Sequence, residues 1–530
     1  MFLVYHLSEM LAYATCGYLN RLEAYATLKH PKTMKKDLLL AIDVGTGSVR
    51  AALITLSGET VAFSAQEHDQ IVPQFGWSEQ RPESWWEGAV ASVRTVLGNI
   101  AQASGRVAGV AACGQMHGTV LIDGDGRLVM DRVPLWNDKR TREIVEQFQR
   151  AHNTKKLLPI VGNPPTVAFA AFKLMWIKRH EPRVYEAART LLMPKDYINF
   201  RLTGVRAIDF SEASCNYLLD IRKRAWSEEV VNLLDLDSKK LPPLKEASDV
   251  LGTVTRDAAS ETGLWEGTPV TVGAGDYPVT LLGSGVIRSG MGSDVTGTST
   301  LITLITAEPV LDPVITNVKG VAGGWGAFTI LDAGGDAMRW ARRAFHENQY
   351  SYDRIVELAS AAPAGADRLL FLPYLNGERL AKQANSRAQF VGLTSAHSAG
   401  HLHRAVMEGV AFASRRNIEI MKSSGNYLER LVAAGGGAKT RLWLEIKASI
   451  YDCPILTPVD AECGVLGCAM LAGVGAGIFS SLEDAVQRLV RYDAEIQPNP
   501  AWSERYERMG AFFNSVYEHS ESYWDEMDRL

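Results

Sequence analysis

Several classes of protein are excluded by what this sequence lacks. Its formal net charge of −5 leaves no excess of positive charge to attract nucleic acid or an anionic membrane. No apolar run is long enough to span a bilayer. Its six cysteines form no CxxC pair, which favours reduced, buried thiols and predicts a cytoplasmic protein.

The common nucleotide-binding motifs are also absent. The sequence contains no GxxxxGK[ST] loop, no GxGxxG fingerprint and no HRD or DFG set. If the chain uses ATP, its phosphates must therefore be held by a different kind of loop.

The length of 530 residues is too great for one compact core and predicts at least two large domains. Residues 1–33 lack a basic n-region, and Glu9 interrupts their apolar content, so a secretory signal fits poorly. The segment that begins at Met34 runs directly into the first predicted strand. Residues 1–33 are therefore predicted to be a non-catalytic N-terminal extension, with a docking helix as the alternative.

Residues 38–56 read LLLAIDVGTGSVRAALITL. Apolar runs on both sides of a polar turn predict two β-strands joined by a hairpin. One interpretation is a plain hairpin with convenient glycines. The other is a phosphate loop, in which backbone N–H groups and the hydroxyls of Thr46 and Ser48 face an anion. Asp43 would then hold a metal ion, because a bare carboxylate repels phosphate.

A similar pattern returns half a chain later. Residues 294–305 read DVTGTSTLITLI, in which Gly297, Thr298 and Ser299 form a second polar turn before an apolar strand. Two such turns indicate an internal duplication, with each half built on a mixed sheet covered by helices. Two lobes of this kind can grip a nucleotide between them, which favours phosphate binding over two unrelated hairpins.

Polar groups also follow predicted strands between the two turns. The stretches CGQMHG (113–118) and LWNDKRT (135–141) each end an apolar run, and PVTVGAGDYPV (269–279) breaks at glycines and exposes Asp276. Because ligands of open α/β sheets bind beyond the carboxyl ends of the strands, these stretches indicate a second ligand site.

Seven motifs, in order and in approximate spacing, resemble those of the FGGY carbohydrate kinases. They are DVGTGSVR, GQMHG, LWNDKRT, GAGD, TGTST, LPYLNGER and GGGAKTRLW. The resemblance runs from about residue 34 to near residue 475. The C-terminal family signature is matched by residues 388–408, and the middle signature is matched in part by KLMWI at 173–177. Within the family, GQMHG and LWND are most similar to the xylulokinases and related pentulose kinases.

The resemblance implies an α/β fold of two actin/hexokinase/Hsp70-like (ribonuclease H-like) lobes with mixed sheets and a ligand cleft between them. The N-terminal lobe, expected at 34–283, would hold the sugar and the catalytic base, and the C-terminal lobe, expected at 284–497, would bind the nucleotide. Residues 498–530 are expected to form a surface helical segment. The implied reaction is ATP-dependent phosphorylation of a small sugar, such as a ketopentose or a related ketose or polyol.

The resemblance places the general base at Asp276, which follows a Gly-x-Gly turn and lies in sequence between the two polar turns. Phosphoryl transfer depends mainly on positioning and charge stabilisation, and this residue would accept the proton of the sugar hydroxyl. The alternative is an aspartate that only caps a turn. Asp43 would help to hold Mg²⁺ through water, because Mg²⁺ dehydrates reluctantly.

Phosphate binding from both lobes is also implied. The expected residues are Thr46, Gly47 and Ser48 from the first lobe and Gly297, Thr298 and Ser299 from the second. Arg50 has two open roles, contact with a phosphate or with a surface carboxylate. The nucleoside site is expected at a triple-glycine turn and the residues after it: Gly435, Gly436, Gly437, Lys439 and Trp443.

Sugar binding requires paired donors and acceptors together with one apolar or aromatic face. The residues that the resemblance places there are Gln115, Met116, His117, Trp136, Asn137 and Asp138. A lone histidine is often structural, but His117 matches a substrate contact of the family, which favours a functional role.

Tyr277 departs from the xylulokinase pattern, which usually has asparagine directly after the catalytic aspartate. A phenol at this position would reshape the end of the pocket that recognises hydroxyls. We therefore expect the sugar to differ from D-xylulose in length or stereochemistry and count Tyr277 among the substrate-binding residues.

Two non-catalytic alternatives stay open on the same scaffold: a sugar-sensing regulator and a nucleotide-dependent conformational switch. The intact polar turns and Asp276 favour the enzyme. The expected partners are the sugar and ATP with Mg²⁺, without nucleic acid or membrane, and with a homodimer as an open option.

Overall fold

The computed structural model describes residues 35–378, 384–460 and 462–530. The predicted extension at residues 1–33 lies outside the described residues. Two α/β lobes follow one another along the chain, and each is built on a seven-stranded mixed sheet. The expected α/β architecture with mixed sheets is therefore confirmed.

Lobe one contains strands β1–β15. Its main sheet has the order β13-β14-β5-β1-β2-β3, with β15 also paired with β5. The strands are β1 (Leu38–Val44), β2 (Ser48–Thr55), β3 (Thr60–Glu67), β4 (Glu79–Gln80), β5 (Val107–Gly114), β6 (Val120–Ile122), β7 (Val133–Pro134), β8 (Thr190–Leu192), β9 (Ile208–Asp209), β10 (Leu219–Asp220), β11 (Ala225–Trp226), β12 (Leu244–Lys245), β13 (Val250–Thr253), β14 (Pro269–Thr271) and β15 (Ala274–Gly275).

Lobe two contains strands β16–β24. Its main sheet has the order β18-β19-β17-β16-β22-β23-β24. The strands are β16 (Met291–Thr296), β17 (Thr300–Thr306), β18 (Thr316–Lys319), β19 (Trp325–Leu331), β20 (Leu370–Leu372), β21 (Gln389–Val391), β22 (Arg430–Ala434), β23 (Ile455–Pro458) and β24 (Tyr492–Ile496).

The two main sheets repeat one topology. In lobe one the hairpin β1–β2 continues into antiparallel β3, and β5 runs parallel to β1 on the other side. In lobe two the hairpin β16–β17 continues into antiparallel β19, and β22 runs parallel to β16. The two polar turns therefore connect equivalent pairs of strands, as an internal duplication predicts.

Helices surround both sheets. In lobe one they are α1 (Pro82–Gly98), α2 (Ala103–Arg106), α3 (Arg142–Ala151), α4 (Thr154–Val161), α5 (Ala170–His180), α6 (Pro182–Ala187), α7 (Pro194–Thr203), α8 (Phe210–Ser214), α9 (Glu228–Leu233), α10 (Arg256–Thr262) and α11 (Asp276–Gly283). The later helices are α12 (Gly335–His346), α13 (Tyr352–Ala361), α14 (Ala399–Lys422), α15 (Arg441–Tyr451), α16 (Cys463–Gly475), α17 (Leu482–Leu489) and α18 (Pro500–Met527). Short 3₁₀ turns span Ser238–Lys240, Ala366–Arg368 and Gly436–Lys439.

The long helix α1 illustrates how the sequence determines an element. Proline opens it at Pro82, where no intrahelical N–H is needed, and buried side chains recur at helical spacing at Trp85, Ala89, Val93 and Val96. This face packs on β2 and β3. It covers the lobe-one sheet next to the first polar turn.

Helix α16 covers β1, β5 and β14 although it lies late in the sequence. Its close approach to α11 depends on small residues, because a Cβ at Gly467 would lie 2.1 Å from the carbonyl oxygen of Val279. A Cβ at Gly283 would lie 1.8 Å from the carbonyl oxygen of Cys463. Helix α16 therefore fixes α11, whose first residue is Asp276.

The C-terminal helix α18 is more than a surface segment. Its buried residues include Tyr506, Phe513, Tyr517 and Trp524, which belong to the core of lobe two. The expectation of a surface helix is wrong for this face, because these aromatic residues recur at roughly helical spacing and form a continuous apolar stripe. None of the helices in the described ranges has the length and apolarity needed to cross a membrane.

Candidate active site

The first polar turn and Asp276 lie at the same edge of the lobe-one sheet. Strands β1 and β15 both pair in parallel with β5, so their carboxyl ends bring Asp43 and Asp276 to one side of the lobe. Gly273 has a φ of +69°, and a Cβ there would lie 1.8 Å from the carbonyl oxygen of Ala112. Glycine is therefore required for the turn that delivers Asp276 to this edge.

Asp276 is the first residue of α11 and is only partly exposed. Its Oδ1 accepts a hydrogen bond of 2.7 Å from the peptide N–H of Tyr277, and the Thr280 hydroxyl donates to its carbonyl oxygen at 2.8 Å. Burial, and then the negative charge of Asp43, raise the pKa of Asp276 to about 7. A carboxyl group with this pKa can accept a proton near neutral pH.

Asp43 lies beside a basic side chain. Its Oδ2 is 3.6 Å from Arg50 Nη1, which is also 3.6 Å from Glu462 Oε2. Arg50 Nε also donates to the Ser48 hydroxyl at 3.4 Å, so this side chain contacts two carboxylates and the polar turn itself. Burial raises the pKa of Asp43, and the charge of Arg50 opposes this rise.

The donor set around Asp43 fits a magnesium ion held largely through water. The described residues contain no group of three or more His, Cys, Asp or Glu side chains that could enclose a metal ion. Mg²⁺ prefers oxygen ligands and commonly keeps several waters while bound by one or two carboxylates and substrate phosphates. Asp43 supplies one such carboxylate next to the polar turn.

The first polar turn is tied to lobe one through Thr46. Its carbonyl oxygen accepts a hydrogen bond of 2.6 Å from Gln80 Nε2. Its hydroxyl donates to Gln115 Oε1 at 3.2 Å and accepts from the indole N–H of Trp136 at 3.1 Å. The turn that should hold phosphate is therefore bonded directly to two of the predicted sugar residues.

The next two residues of this turn are more open. Gly47 is exposed, and Ser48 is partly exposed. A Cβ at Gly47 would meet no atom within 4 Å. Their backbone is accessible to an anion.

The second polar turn is fixed by α12. The peptide N–H of Gly297 donates to the carbonyl oxygen of Ser299, and the N–H of Gly335 donates to that of Gly297, each at 2.9 Å. Arg339 Nη2 donates to the Thr298 hydroxyl at 2.9 Å. Gly297 and Thr298 are exposed, and a guanidinium that the sequence patterns did not single out lies beside them.

The triple-glycine turn packs against this second polar turn. Gly435 has a φ of +78°, and a Cβ there would lie 2.7 Å from the carbonyl oxygen of Thr296, the last residue of β16. A Cβ at Gly437 would lie 2.7 Å from the Thr296 Cβ. Gly436 and Lys439 remain exposed next to the junction. The two glycine turns of lobe two therefore share one edge.

A cavity of about 520 Å³ adjoins this edge, and Lys439, Arg441 and Trp502 are among its lining residues. Trp443 does not face it. Its indole N–H donates to the carbonyl oxygen of Met407 at 3.1 Å, and the side chain is buried. The expectation that Trp443 lines the nucleoside site is wrong, because α15 places this residue on its buried face.

His117 has a strained backbone and a neutral ring. Its φ of +70° is unusual for a residue other than glycine. Burial, and then the charge of Lys173, lower the pKa of His117 to about 3. Lys173 Nζ donates to the His117 carbonyl oxygen at 2.6 Å, and burial lowers the pKa of this lysine to about 7. The neutral imidazole can both donate and accept hydrogen bonds.

Met116 and Gln115 lie directly beside His117 in the sequence but are buried. A Cβ at Gly275 would lie 2.7 Å from Met116 Cγ, so the methionine packs on the turn that carries Asp276. Gln115 Nε2 donates to Gln80 Oε1 at 2.8 Å. These two buried side chains therefore pack within lobe one, against residues that carry the candidate site.

Asp138 is engaged within lobe one. Its fully buried carboxylate accepts the Ser78 peptide N–H at 2.7 Å and the guanidinium of Arg140 at 2.7 and 2.9 Å. Arg140 also bonds to Glu79 at 2.5 Å and lies 3.7 Å from the centre of the Trp77 ring. Asp138 therefore forms an ion pair with Arg140, a residue that the sequence patterns did not single out.

The neighbouring Trp136 and Asn137 are more accessible. Trp136 is 40% exposed, and Asn137 Oδ1 accepts from Gln70 Nε2 at 3.1 Å. An indole face and an amide next to the polar turn are suited to a polyol.

A buried cluster of charges contacts the backbone just before Asp276. Lys195 is fully buried, bonds to Asp196 and lies 3.0 Å from Asp209 Oδ1. Its Nζ also donates at 3.2 Å to the carbonyl oxygen of Val272, just before the turn that carries Asp276. Burial lowers the pKa of Lys195, but the charges of the two aspartates outweigh this effect and hold the pKa above its usual value. The cluster therefore anchors the segment of chain that leads to Asp276.

The Tyr277 side chain contacts both lobes. Its hydroxyl bonds to the Thr303 hydroxyl, and its ring lies edge-on to that of Phe328 at 5.3 Å. Both partners belong to the main sheet of lobe two. The side chain that the sequence patterns placed at the sugar is thus engaged between the lobes.

The amino-acid sequence is also similar to those of known proteins. Residues 38–283 match the N-terminal domain of the FGGY family of carbohydrate kinases, and residues 293–476 match its C-terminal domain. The chain is 31% identical over 490 residues to a xylulose kinase of Bacillus subtilis, covering 91% of this chain and 97% of the relative. It is 32% identical over 507 residues to an autoinducer-2 kinase of Escherichia coli K12, covering 91% of this chain and 94% of that relative.

Solved structures of other carbohydrate kinases have the same overall fold. The crystal structure of a xylulose kinase from Rhodospirillum rubrum superposes with a TM-score of 0.87 at 29% identity, covering 92% of this chain and 100% of that one. The two-lobed actin/hexokinase-like fold expected from the sequence is therefore confirmed.

Proposed function

We infer the reaction from the family to which the chain belongs, the FGGY family of carbohydrate kinases, and propose Asp276 as the general base. The chain is a carbohydrate kinase that phosphorylates a sugar with ATP. The observation that carries the proposal for Asp276 is its position: a partly buried carboxyl with a pKa near 7, at the sheet edge that also holds the first polar turn.

The proposed step is an in-line displacement on the terminal phosphorus of ATP. The sugar hydroxyl attacks as its proton passes to Asp276, the new O–P bond forms, and the bond to the bridging oxygen breaks with its electron pair leaving on ADP. Little covalent chemistry is required of the protein, because the transition state is loose and depends on alignment and charge stabilisation. Asp43 would hold Mg²⁺, which would supply positive charge to offset that of the phosphate oxygens.

The nucleotide is proposed to lie across the two polar turns. Thr46, Gly47 and Ser48 with Arg50 contact phosphates from lobe one, and Gly297, Thr298 and Ser299 contact them from lobe two. The nucleoside lies against Gly435, Gly436, Gly437 and Lys439. The exposed backbone at Gly47, Gly297 and Gly436 supports this assignment.

For the sugar we propose direct contacts with His117, Trp136 and Asn137. Gln115, Met116 and Asp138 then act beneath this layer. Gln115 bonds to Thr46, Met116 packs on Gly275, and Asp138 fixes Arg140. Substitution of any of these three residues would change the shape of the pocket rather than remove a single contact to the sugar.

The proposed substrate is a ketopentose such as xylulose or a related ketose or polyol, handled in the cytoplasm. Xylulose kinases and autoinducer-2 kinases are similar to this chain at nearly the same identity, so the identity alone does not select one sugar. The test is to incubate the protein with Mg·ATP and ketoses, aldoses and polyols of about four to seven carbons, and to measure ADP. ADP formation that depends on added sugar supports the proposal. Equal ADP in the presence and absence of every sugar contradicts it.

A further inference from the structure

The residue after the proposed base connects that base to the other lobe. The peptide N–H of Tyr277 donates to Asp276 Oδ1 at 2.7 Å, so the backbone of Tyr277 helps to set the orientation of the carboxylate. The two residues form the beginning of α11. A displacement of Tyr277 would therefore move a hydrogen-bond donor of the Asp276 carboxylate.

The Tyr277 side chain contacts a pair of residues that face each other in the lobe-two sheet. Its hydroxyl bonds to Thr303 of β17, and its ring contacts Phe328 of β19. Thr303 and Phe328 are directly opposite each other in the register of these two strands. The phenol thus rests on a cross-strand pair, which is a rigid element of the sheet.

Tyr277 also joins two hydrophobic cores. It packs against the lobe-one core that contains Met116 and against a second core that contains Met291, Ile305 and Val432 of lobe two. The two hydroxyls form a part-buried pair, so separation of Tyr277 from Thr303 would cost both groups this bond.

Strand β17 begins directly after the second polar turn. That turn, Gly297 to Ser299, connects β16 to β17, and Thr303 lies four residues beyond Ser299 on this strand. A continuous path of bonded groups therefore runs from the proposed phosphate turn of lobe two, along β17, through Tyr277, to the carboxylate of Asp276.

We propose that Tyr277 is a positioning residue that couples nucleotide binding in lobe two to the orientation of Asp276. The inference rests on the proposed role of Asp276 as base. Tyr277 acts through the carboxylate, and its hydroxyl is committed to Thr303 rather than to the sugar. Nucleotide bound at the second polar turn restrains β17, and the Tyr277–Thr303 contact passes this restraint to the first turn of α11.

The test is hydrogen–deuterium exchange of the peptide over residues 272–283, with and without Mg·ADP. ADP carries no terminal phosphoryl group, and its nucleoside lies against lobe two in this account. In the wild-type protein, ADP should slow amide exchange in α11 by about tenfold or more. In Tyr277→Phe and in Thr303→Val, which each remove one hydroxyl of the pair, the slowing should fall below about twofold.

A double-mutant cycle and a matched control sharpen the test. The Tyr277→Phe/Thr303→Val protein should lose no more protection than either single variant, because the two hydroxyls act as one contact. The control residue is Thr329, which follows Phe328 and points to the opposite face of β19. The Thr329→Val protein should keep the ADP-dependent protection of the wild-type protein. Mg·ADP affinity and the melting temperature of each variant show whether binding and folding are retained.

Unchanged protection of α11 in Tyr277→Phe, or no protection in the wild-type protein, overturns the inference. So does a Tyr277→Phe protein whose KM for the sugar rises tenfold while its ADP-dependent protection persists, since the hydroxyl would then act on the sugar. Failure here leaves the proposed reaction intact, because sugar-dependent ADP formation and the Asp276→Asn variant test that reaction separately.

Discussion

Asp43 lies near the end of β1 and Asp276 directly follows β15, two strands that both pair with β5; burial, and then the charge of Asp43, raise the pKa of Asp276. In the proposed mechanism, the first carboxylate holds a cation and the second accepts a proton. Their electrostatic interaction links the metal and the base, because a cation beside Asp43 would offset the charge that favours protonated Asp276.

The pH dependence of the reaction should follow Asp276. Its pKa is about 7, so below this pH the carboxyl group is increasingly protonated and cannot accept the hydroxyl proton. We expect kcat/KM for the sugar to rise about tenfold per pH unit well below this value and to level off above it. The measurement is initial rates between pH 5 and 9, at several concentrations of sugar and a fixed concentration of Mg·ATP.

Lys173 titrates in the same range, but with the opposite sign. Its pKa is about 7, and its charged form donates to the His117 carbonyl oxygen. Loss of that proton would lower activity as the pH rises. A profile that only falls between pH 5 and 9 would therefore assign the dependence to Lys173 and contradict the prediction for Asp276.

Exchange of Asp43 should weaken the use of Mg²⁺. Asp43→Asn removes the only charge of this side chain but keeps its size, and we expect the Mg²⁺ concentration for half-maximal rate to rise by about 10–100-fold. The control is Asp37→Asn, since Asp37 precedes the same strand at its opposite end and bonds to Arg106 at 2.8 Å. Equal Mg²⁺ dependence in the two variants would exclude Asp43 from the metal site.

The buried charge cluster should matter for stability. Lys195→Met leaves Asp196 and Asp209 buried without their counter-charge, and we expect the free energy of unfolding to fall by about 3–5 kcal/mol. Lys223→Met is the control, because Lys223 is 80% exposed, pairs with Asp220 at 3.1 Å and should cost less than about 1 kcal/mol. Denaturant unfolding of both variants measures the difference. Similar losses for both would show that the cluster is not a stabilising anchor.

The sequence predicted those features that depend on short, local patterns. The hairpin turns at 45–48 and 297–299 are visible as glycine and hydroxyl residues between apolar runs, and the repeated sheet topology confirms the duplication that they indicate. The turn that carries Asp276 is likewise visible in the sequence as the Gly-x-Gly pattern of Gly273 and Gly275. These patterns, together with the family motifs, were sufficient for the fold and for the class of reaction.

Contacts between distant parts of the chain could not be predicted in the same way. Asp138 was assigned to the sugar from its motif, but its bonds to Ser78 and Arg140 depend on how two loops meet in the folded lobe. Tyr277 was assigned to the pocket because of its neighbour in sequence, whereas its partner Thr303 belongs to the other lobe. Burial on a helix face likewise decides the orientation of Trp443.

The most direct test of the account is the turnover of Asp276→Asn with the sugar that gives the highest rate in the screen. Asparagine keeps the size of the side chain and an oxygen that can accept the Tyr277 N–H, but it cannot take up the hydroxyl proton. The account predicts that kcat falls by about 10²–10⁴-fold while sugar binding and the melting temperature are retained. A folded Asp276→Asn protein that turns over at close to the wild-type rate would contradict it.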